Sequence, residues 1–165
     1  MAESQPELNA LVINALIGRG LTIAVAESLT GGQLVASLID VAGASATVAG
    51  GVVAYNSALK HSVLGVSAEL LESNGAVDAE VARQMARGVR LALAVDGRPV
   101  DVGLSTTGVA GPEPQDGKPV GTVFVGLAIG DRVQHVRLSL SGTRSEIQSA
   151  TVQQALATLL AALNE

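Results

Sequence analysis

Short apolar runs alternate along this chain with segments of helical periodicity, and that alternation limits the fold more than any other feature. Three of the runs predict buried strands: Leu21–Ala26, Gly50–Tyr55 and Val100–Ser105. Strands that alternate with helices pair in parallel and need helices on both faces of the sheet. The alternation therefore predicts an α/β protein built in three layers.

Near the end of the chain the pattern changes to two longer runs joined by a turn. Val120–Ile129 and Val133–Leu140 flank Gly130-Asp131-Arg132, an arrangement typical of a hairpin. A hairpin adds antiparallel strands, so the predicted fold class is α/β, a three-layer α/β/α sandwich with a mixed, mostly parallel sheet. No linker or repeat interrupts residues 1–165, which predicts a single domain.

Helical spacing of apolar residues predicts the elements between the strands. The clearest case is the stripe of Val81, Met85 and Val89. Thr143 and Glu146 have the spacing of a capping box that begins the last helix. The predicted helices cover residues 5–18, a segment that begins after Gly32, residues 57–64, residues 79–95 and the C-terminal segment after Thr143.

The composition favours a folded protein that covers part of its surface with a partner. Hydrophobic residues make up 48% of the chain and charged residues only 15%, against about 25% charged residues in an average domain. Such a composition excludes intrinsic disorder. It also predicts that a second copy of the chain covers some apolar surface, so we expect a homodimer.

Charge and aromatic content argue against nucleic acid as a partner. The net charge is −5 and aromatic residues make up 1% of the chain, which provides neither a basic surface for phosphates nor stacking platforms for bases. The chain has no cysteine, and therefore no disulfide and no thiol nucleophile.

Two long uncharged runs, Val41–Leu59 and Ile147–Asn164, are too polar to predict a membrane span. The first basic residue is Arg19, so no secretory signal is predicted. We therefore expect a soluble, cytoplasmic protein.

The first candidate site is the polar, Gly-rich turn after the first predicted strand, Glu27-Ser28-Leu29-Thr30-Gly31-Gly32. A turn of this kind presents backbone N–H groups at the positive end of a helix dipole, which suits a phosphate. Ser28 and Thr30 add hydroxyl donors. N-capping by the same hydroxyls explains the turn without a ligand, and from this segment alone it is the simpler interpretation.

The second candidate site is the loop after the third predicted strand, Thr106–Pro112. Ligands of open α/β sheets bind outside the carboxyl ends of the strands, and Thr107, Gly108, Ala110 and Gly111 lie at such an end. An ordinary long loop, shaped by its Gly-Pro and Asp-Gly turn signals, is an equally good interpretation.

The third candidate combines Ser45, Tyr55 and Lys60. The chain has only two lysines, Lys60 and Lys118, beside eight arginines. An amine, unlike a guanidinium, loses its proton when it is desolvated and then acts as a base. A solvated lysine near the start of a helix is the alternative, and only the fold can join Lys60 to Ser45.

Arginine and histidine are two further residue types that bind ligands. Arg137 and Arg144, near the last helix, are candidate anion contacts, with a solvated face as the alternative. His61 and His135 lie far apart in the sequence without metal-ligand spacing, so no metal site is predicted.

Three blocks of the chain occur in an order and spacing known from one protein family. The blocks are Ala26–Gly32; Gly43–Ala46 with Gly50–Tyr55 and Lys60; and Thr107–Pro112 with Lys118–Val123. They resemble the signatures of the C-terminal domain of the competence/damage-inducible protein CinA, a family whose stand-alone form is nicotinamide mononucleotide amidohydrolase. The resemblance covers about residues 5–163.

The resemblance implies a hydrolytic reaction that needs neither a metal nor another cofactor. Nicotinamide mononucleotide and water would give nicotinic acid mononucleotide and ammonia. The family's Ser/Lys dyad maps, by motif position, to Ser45 as nucleophile and Lys60 as base. Tyr55 is implied as a third catalytic residue, which holds the proton network or helps to stabilise the oxyanion. The residues that the resemblance implies for substrate binding are Ser28, Thr30, Gly31, Gly32, Thr107, Gly108, Ala110, Gly111 and Arg144.

An alternative of a different class remains open at this point. The family's link to competence is also compatible with a nucleotide-binding or partner-binding module that has no catalytic activity. Such a module would not need Ser45, Tyr55 and Lys60 together, which favours the enzyme.

Overall fold

A five-stranded sheet organises residues 4–165, the part of the chain that the computed structural model describes. The strands lie in the order β2-β1-β3-β4-β5. Their bounds are β1 Ile23–Glu27, β2 Val48–Val53, β3 Val102–Gly108, β4 Thr122–Ile129 and β5 Arg132–Ser139.

Strand β1 pairs in parallel with both β2 and β3, whereas β3–β4 and β4–β5 are antiparallel. Four of the five strands therefore run in one direction and β4 alone runs against them. The mixed, mostly parallel sheet and the late hairpin predicted from the sequence are confirmed.

Helices cover both faces of this sheet, as the alternating pattern predicts. In chain order they are α1 Gln5–Arg19, α2 Gln33–Ile39, α3 Ser57–Ser62, α4 Ala68–Asn74, α5 Ala79–Ala92 and α6 Arg144–Leu163, with a single 3-10 turn at Ala44–Ala46 before β2. The predicted capping box of α6 is present, because Thr143 and Glu146 bond to each other's backbone N–H groups.

The alternating side chains of β1 show how the two faces differ. Ile23 and Val25 pack in a cluster with residues of α1, α2 and α6, whereas Ala24 and Ala26 pack in a second cluster with α5. The small alanines leave room for α5 to lie close to the sheet. The result is the three-layer α/β/α sandwich.

Two glycines on the α5 side explain how closely this helix approaches. A Cβ atom on Gly103 would collide with the carbonyl oxygen of Ala86, and one on Gly126 would collide with that of Ala82. Ser105 then donates a hydrogen bond to the same Ala82 carbonyl over 2.6 Å. Close packing of α5 therefore fixes β3, whose carboxyl end leads into one of the candidate loops.

Helix α4 is an addition to the predicted elements. It begins at a Ser67 N-cap, whose hydroxyl accepts a hydrogen bond from the Leu70 N–H over 3.2 Å. None of its residues is buried, so the sequence has no clear apolar stripe to indicate it. Among residues 4–165, no helix is both long and apolar enough to cross a membrane.

Candidate active site

A serine that follows β1 and a lysine of helix α3 meet in the interior of the protein. The Nζ atom of Lys60 lies 3.0 Å from the Oγ atom of Ser28 and 2.8 Å from the backbone carbonyl oxygen of Ala54. Only 1% of Lys60 and 8% of Ser28 is exposed. The fold thus forms a buried Ser/Lys pair, and its serine is Ser28.

Local structure around β1 and β2 brings this pair together. Ser28 follows β1 directly and Ala54 follows β2 directly, so both lie at the same edge of the parallel ladder. Asn56 then caps α3, with its side chain accepting a hydrogen bond from the Ala58 N–H over 2.9 Å. This short helix turns the chain back, which carries Lys60 over the carboxyl ends of both strands.

Burial changes the acid–base character of Lys60. No carboxylate within residues 4–165 forms an ion pair with it. Desolvation lowers the pKa of its ammonium group to about 8 from the ordinary lysine value of 10.5. At neutral pH roughly a tenth of the population is therefore an uncharged amine.

The hydrogen-bond partners of Lys60 suit an uncharged amine. A neutral amine has two N–H donors and one lone pair. It can donate one hydrogen bond to the Ala54 carbonyl and accept the other from the Ser28 hydroxyl. In that state the lone pair faces the serine proton, which is the arrangement that activates a serine as a nucleophile.

Hydrogen bonds to two threonines fix the turn after β1 that contains Ser28. The Ser28 N–H donates to the Oγ1 atom of Thr106 over 3.4 Å, and Thr106 shares a 2.8 Å hydrogen bond with the hydroxyl of Thr30. Both threonines are fully buried. These contacts tie the turn after β1 to β3 and fix the position of Ser28.

Glu27 occupies the helix terminus that the sequence predicted as a phosphate site. Its fully buried carboxylate accepts hydrogen bonds from the backbone N–H groups of Gly32, Leu34 and Val35 over 3.3, 2.8 and 3.0 Å. An internal carboxylate thus accepts the hydrogen bonds of the free N–H groups at the start of α2, which an external phosphate would otherwise accept.

The substrate-binding predictions for Thr30, Gly31 and Gly32 are therefore corrected. These three residues do not line the cavity beside Lys60, and Thr30 is fully buried against Thr106. The hydroxyl and the glycines of this turn shape its backbone, and the adjacent residues Ser28 and Leu29 are the ones that face the cavity.

An open cavity of about 250 Å³ lies over the Ser/Lys pair. The predicted site residues that line it are Ser28, Tyr55, Lys60, Thr107, Gly108, Ala110, Gly111 and Arg144. The first turn, the end of β2 and the loop after β3 thus meet at one edge of the sheet, as expected for ligand sites in open α/β folds.

Ser45 lies elsewhere, and the predicted pairing of Ser45 with Lys60 is wrong. It is exposed in the 3-10 turn before β2, where it lines a separate surface depression with Ile39 and Val48. Ala54, which Lys60 contacts, follows the opposite end of β2. At about 3.3 Å per residue this strand alone separates the two ends by roughly 17 Å.

Arg144 joins three segments at the rim of the cavity. It is the first residue of α6, and its guanidinium donates to the Gly111 carbonyl over 2.7 Å and to the Tyr55 hydroxyl over 3.2 Å. A guanidinium has five N–H donors, so donors remain for an anionic ligand. Tyr55 is 62% exposed and contributes to the mouth of the cavity.

Several lining residues were not predicted from the sequence. Ser57 lies three residues before Lys60, so both belong to one face of α3, and this spacing is a signal that sequence reasoning missed. Ala76 and Val77 reach the cavity through tertiary structure alone. The full set of additional lining residues is Leu29, Ser57, Ala76, Val77, Val109, Glu113 and Gln115.

The sheet topology and the cavity define the class of the protein, an α/β/α domain with a buried Ser/Lys pair at the carboxyl edge of its sheet. The model of the CinA C-terminal domain family matches residues 5–163, and the chain belongs to this family. The motifs Ala26–Gly32 and Thr107–Pro112, on which the resemblance depends, both border the cavity.

Named relatives agree with this family. A "CinA-like protein" of Frankia casuarinae is 46% identical over 149 residues, which cover 90% of this chain and 33% of the relative. A "putative competence-damage inducible protein" of Thermoanaerobacter pseudethanolicus is 46% identical over 159 residues, which cover 94% of this chain and 37% of the relative. The chain thus spans about a third of the length of these relatives.

Solved structures of the family share the whole fold. The "competence damage-inducible protein A (ComA)" of Klebsiella pneumoniae superposes with a TM-score of 0.92 at 36% identity, over 99% of each chain. The "competence/damage inducible protein CihA" of Agrobacterium tumefaciens gives a TM-score of 0.89 at 34% identity, over 100% of this chain and 99% of that one.

Proposed function

We propose that this protein hydrolyses the carboxamide of nicotinamide mononucleotide to nicotinic acid mononucleotide and ammonia, with Ser28 as the nucleophile and Lys60 as the base. The observation that carries the proposal is the 3.0 Å hydrogen bond between the Ser28 hydroxyl and the Lys60 amine at the floor of the cavity. The choice of substrate follows from the resemblance of the three sequence blocks to the family's amidohydrolase form.

Acylation begins when neutral Lys60 takes the proton of the Ser28 hydroxyl. The serine oxygen forms a bond to the carboxamide carbon, and the carbonyl π electrons move to oxygen to give a tetrahedral intermediate. When the carbonyl reforms, the C–N bond breaks and Lys60 returns its proton to the leaving nitrogen. The products of this half-reaction are ammonia and an ester of Ser28.

Deacylation repeats the same proton transfers with water. Lys60 accepts a proton from the water molecule as its oxygen attacks the ester carbon. Collapse of the second intermediate breaks the bond to the Ser28 oxygen, which takes the proton back from Lys60. Nicotinic acid mononucleotide leaves, and the pair returns to its starting state.

The substrate phosphate is assigned to Arg144 in this proposal. Arg144 lies at the rim of the cavity beside Gly111, whereas Ser28 and Lys60 are buried at its floor. A ligand with its anion at the rim would present the carboxamide to Ser28 in attacking geometry. Tyr55 supports Arg144 through its hydroxyl and is assigned a positioning role.

The homodimer and the cytoplasmic location expected from the sequence belong to the same proposal. Strand β2 lies at an edge of the sheet and falls within the uncharged segment Val41–Leu59. Val53 and Leu59 are 42% and 39% exposed. An edge of this kind offers unpaired backbone groups and apolar side chains to a second copy.

Light scattering should give twice the mass of one chain, and a monomer mass at assay concentration would contradict the dimer.

Product analysis of the purified chain tests the reaction. With nicotinamide mononucleotide as the only substrate, we expect ammonia and nicotinic acid mononucleotide in equal amounts. Lys60→Met is the matched control, because methionine has similar length and no basic group. Ammonia release that does not exceed that of Lys60→Met, under conditions in which both proteins are folded, would contradict the proposed function.

A further inference from the structure

The peptide bond between Ser28 and Leu29 carries a backbone N–H group that the rest of the fold leaves free. Within the described residues 4–165, the Leu29 N–H has no hydrogen-bond acceptor. Leu29 itself is only 3% exposed and lines the cavity over the Ser/Lys pair. Buried N–H groups without a partner are rare, so this one needs an explanation.

Among the N–H groups of residues 28–32, those of Leu29 and Thr30 lack an acceptor and the other three have partners. The Ser28 N–H donates to Thr106, and the Gly31 N–H donates to the Ser28 carbonyl over 3.1 Å. The Gly32 N–H donates to the carboxylate of Glu27. The Thr30 N–H is also free, but Thr30 does not line the cavity. The start of α2 therefore supplies no donor, because Glu27 and the turn already use its N–H groups.

The orientation of the Leu29 N–H is fixed before any ligand binds. The carbonyl of the same peptide, that of Ser28, is held by Gly31, and the N–H of a trans peptide points to the opposite side. The Leu29 carbonyl is held in turn by the side-chain amide of Gln148 over 2.8 Å. The Leu29 side chain packs against Ala110, Val123 and Ile147.

We propose that the backbone N–H of Leu29 is an oxyanion donor for the reaction of Ser28, an inference that rests on the proposed function. The negative charge of the tetrahedral intermediate develops on the oxygen bound to the carbon that Ser28 attacks. A donor on the residue next to the nucleophile is within reach of that oxygen. Because the group is fixed and free, it stabilises the intermediate without the cost of breaking another hydrogen bond.

Replacement of this single N–H by an ester oxygen tests the inference. Incorporation of the α-hydroxy acid analogue of leucine at position 29 removes the donor and keeps the side chain. We expect kcat for nicotinamide mononucleotide to fall on the order of 100-fold with KM little changed, as for loss of one oxyanion donor. The same replacement at Thr30 is the matched control, since its N–H is free but lies outside the cavity, and kcat should stay close to that of the wild type.

Either of two results would overturn the inference: an unchanged kcat for the Leu29 ester, or an equal fall for the Leu29 and Thr30 esters. Ammonia release by the wild type separates these outcomes from failure of the proposed function, because an inactive wild type contradicts the function itself.

A spectroscopic measurement tests the inference without the ester variant. Phenylboronic acid forms a tetrahedral adduct with activated serines, and its negatively charged oxygen occupies the place of the oxyanion. We expect the amide proton of Leu29 to shift downfield when the adduct forms, and Ser28→Ala to abolish the shift. An adduct on Ser28 that leaves the Leu29 amide signal unmoved would also overturn the inference.

Discussion

The backbone carbonyl of Glu27 accepts a hydrogen bond from the backbone N–H of Ala54 over 2.8 Å. This contact continues the parallel ladder of β1 and β2 to the last residue before Ser28. It also sets the Ala54 carbonyl beside Ser28, where both meet the amine of Lys60. Strand register, which no local motif encodes, thus determines which serine Lys60 contacts.

The pH dependence of activity follows from burial of Lys60. Its ammonium pKa is lowered to about 8 by desolvation, and only the uncharged amine takes the serine proton. We expect kcat/KM for nicotinamide mononucleotide to rise about tenfold per pH unit below pH 8 and to level off above it. Rates from about pH 6.5 to about pH 9.5 would check this, and a flat profile or one that falls with rising pH would contradict the role of Lys60 as base.

Stability should depend on pH through the same residue. The folded pKa of Lys60 lies below its unfolded value, so protonated Lys60 destabilises the fold at low pH. Between about pH 8 and pH 10.5 the folded chain has released this proton and the unfolded chain has not. The free energy of unfolding of the wild type, relative to Lys60→Met, should therefore rise across this window, by up to about 3 kcal/mol.

Urea unfolding of both proteins across that pH range measures the difference. Lys60→Met has no titrating group at this position and serves as the reference at each pH. A difference in unfolding free energy that stays constant from pH 8 upwards would show that burial does not lower the pKa.

The sequence predicted the layers and the location of the site more successfully than the identity of the nucleophile. The apolar stripe of α5 and the runs of β1 and β3 have strong local signals, and Gly-rich turns at strand ends indicated the cavity. Ser28 and Ser45 both lie in Gly-rich segments between predicted elements, so composition does not distinguish them. The parallel register of β1 and β2 does, and it depends on contacts far apart in the sequence.

The role of Glu27 was missed for a related reason. A carboxylate before a Gly-rich turn does not reveal, from sequence alone, whether it points into solvent or back to the next helix. In the folded chain it occupies the N–H groups that were predicted to hold a phosphate. Helix α4 has no fully buried residue. Its Leu70 and Leu71 pack partly against the core, and two adjacent leucines give no periodic signal.

Loss of the Glu27 charge should destabilise the fold. Its buried carboxylate accepts three backbone N–H groups, and the amide of Glu27→Gln has only one accepting oxygen. We expect a loss of about 1–3 kcal/mol in unfolding free energy, measured by urea unfolding. Glu146→Gln is the matched control, because Glu146 is also at a helix start but is exposed, and its loss should reduce the unfolding free energy less than loss of Glu27 does. Equal losses for the two variants would contradict the importance of burial.

Arg144 should distinguish substrates by their phosphate. We expect Arg144→Gln to raise KM for nicotinamide mononucleotide about 10- to 100-fold, which corresponds to loss of charge-assisted hydrogen bonds worth about 1.5–3 kcal/mol. Nicotinamide riboside, which lacks the phosphate, should react equally with the wild type and the variant. The two KM values and the two kcat/KM values provide the measurement. An equal loss on both substrates would instead assign Arg144 a structural role through Gly111 and Tyr55.

The most direct measurement compares ammonia release from nicotinamide mononucleotide by Ser28→Ala and Ser45→Ala. Both variants remove one hydroxyl group, but only Ser28 contacts Lys60. We predict that Ser28→Ala loses activity at least about 1000-fold, whereas Ser45→Ala retains the wild-type rate. Full activity in Ser28→Ala, or its loss in a folded Ser45→Ala, would contradict the assignment of Ser28 as the nucleophile.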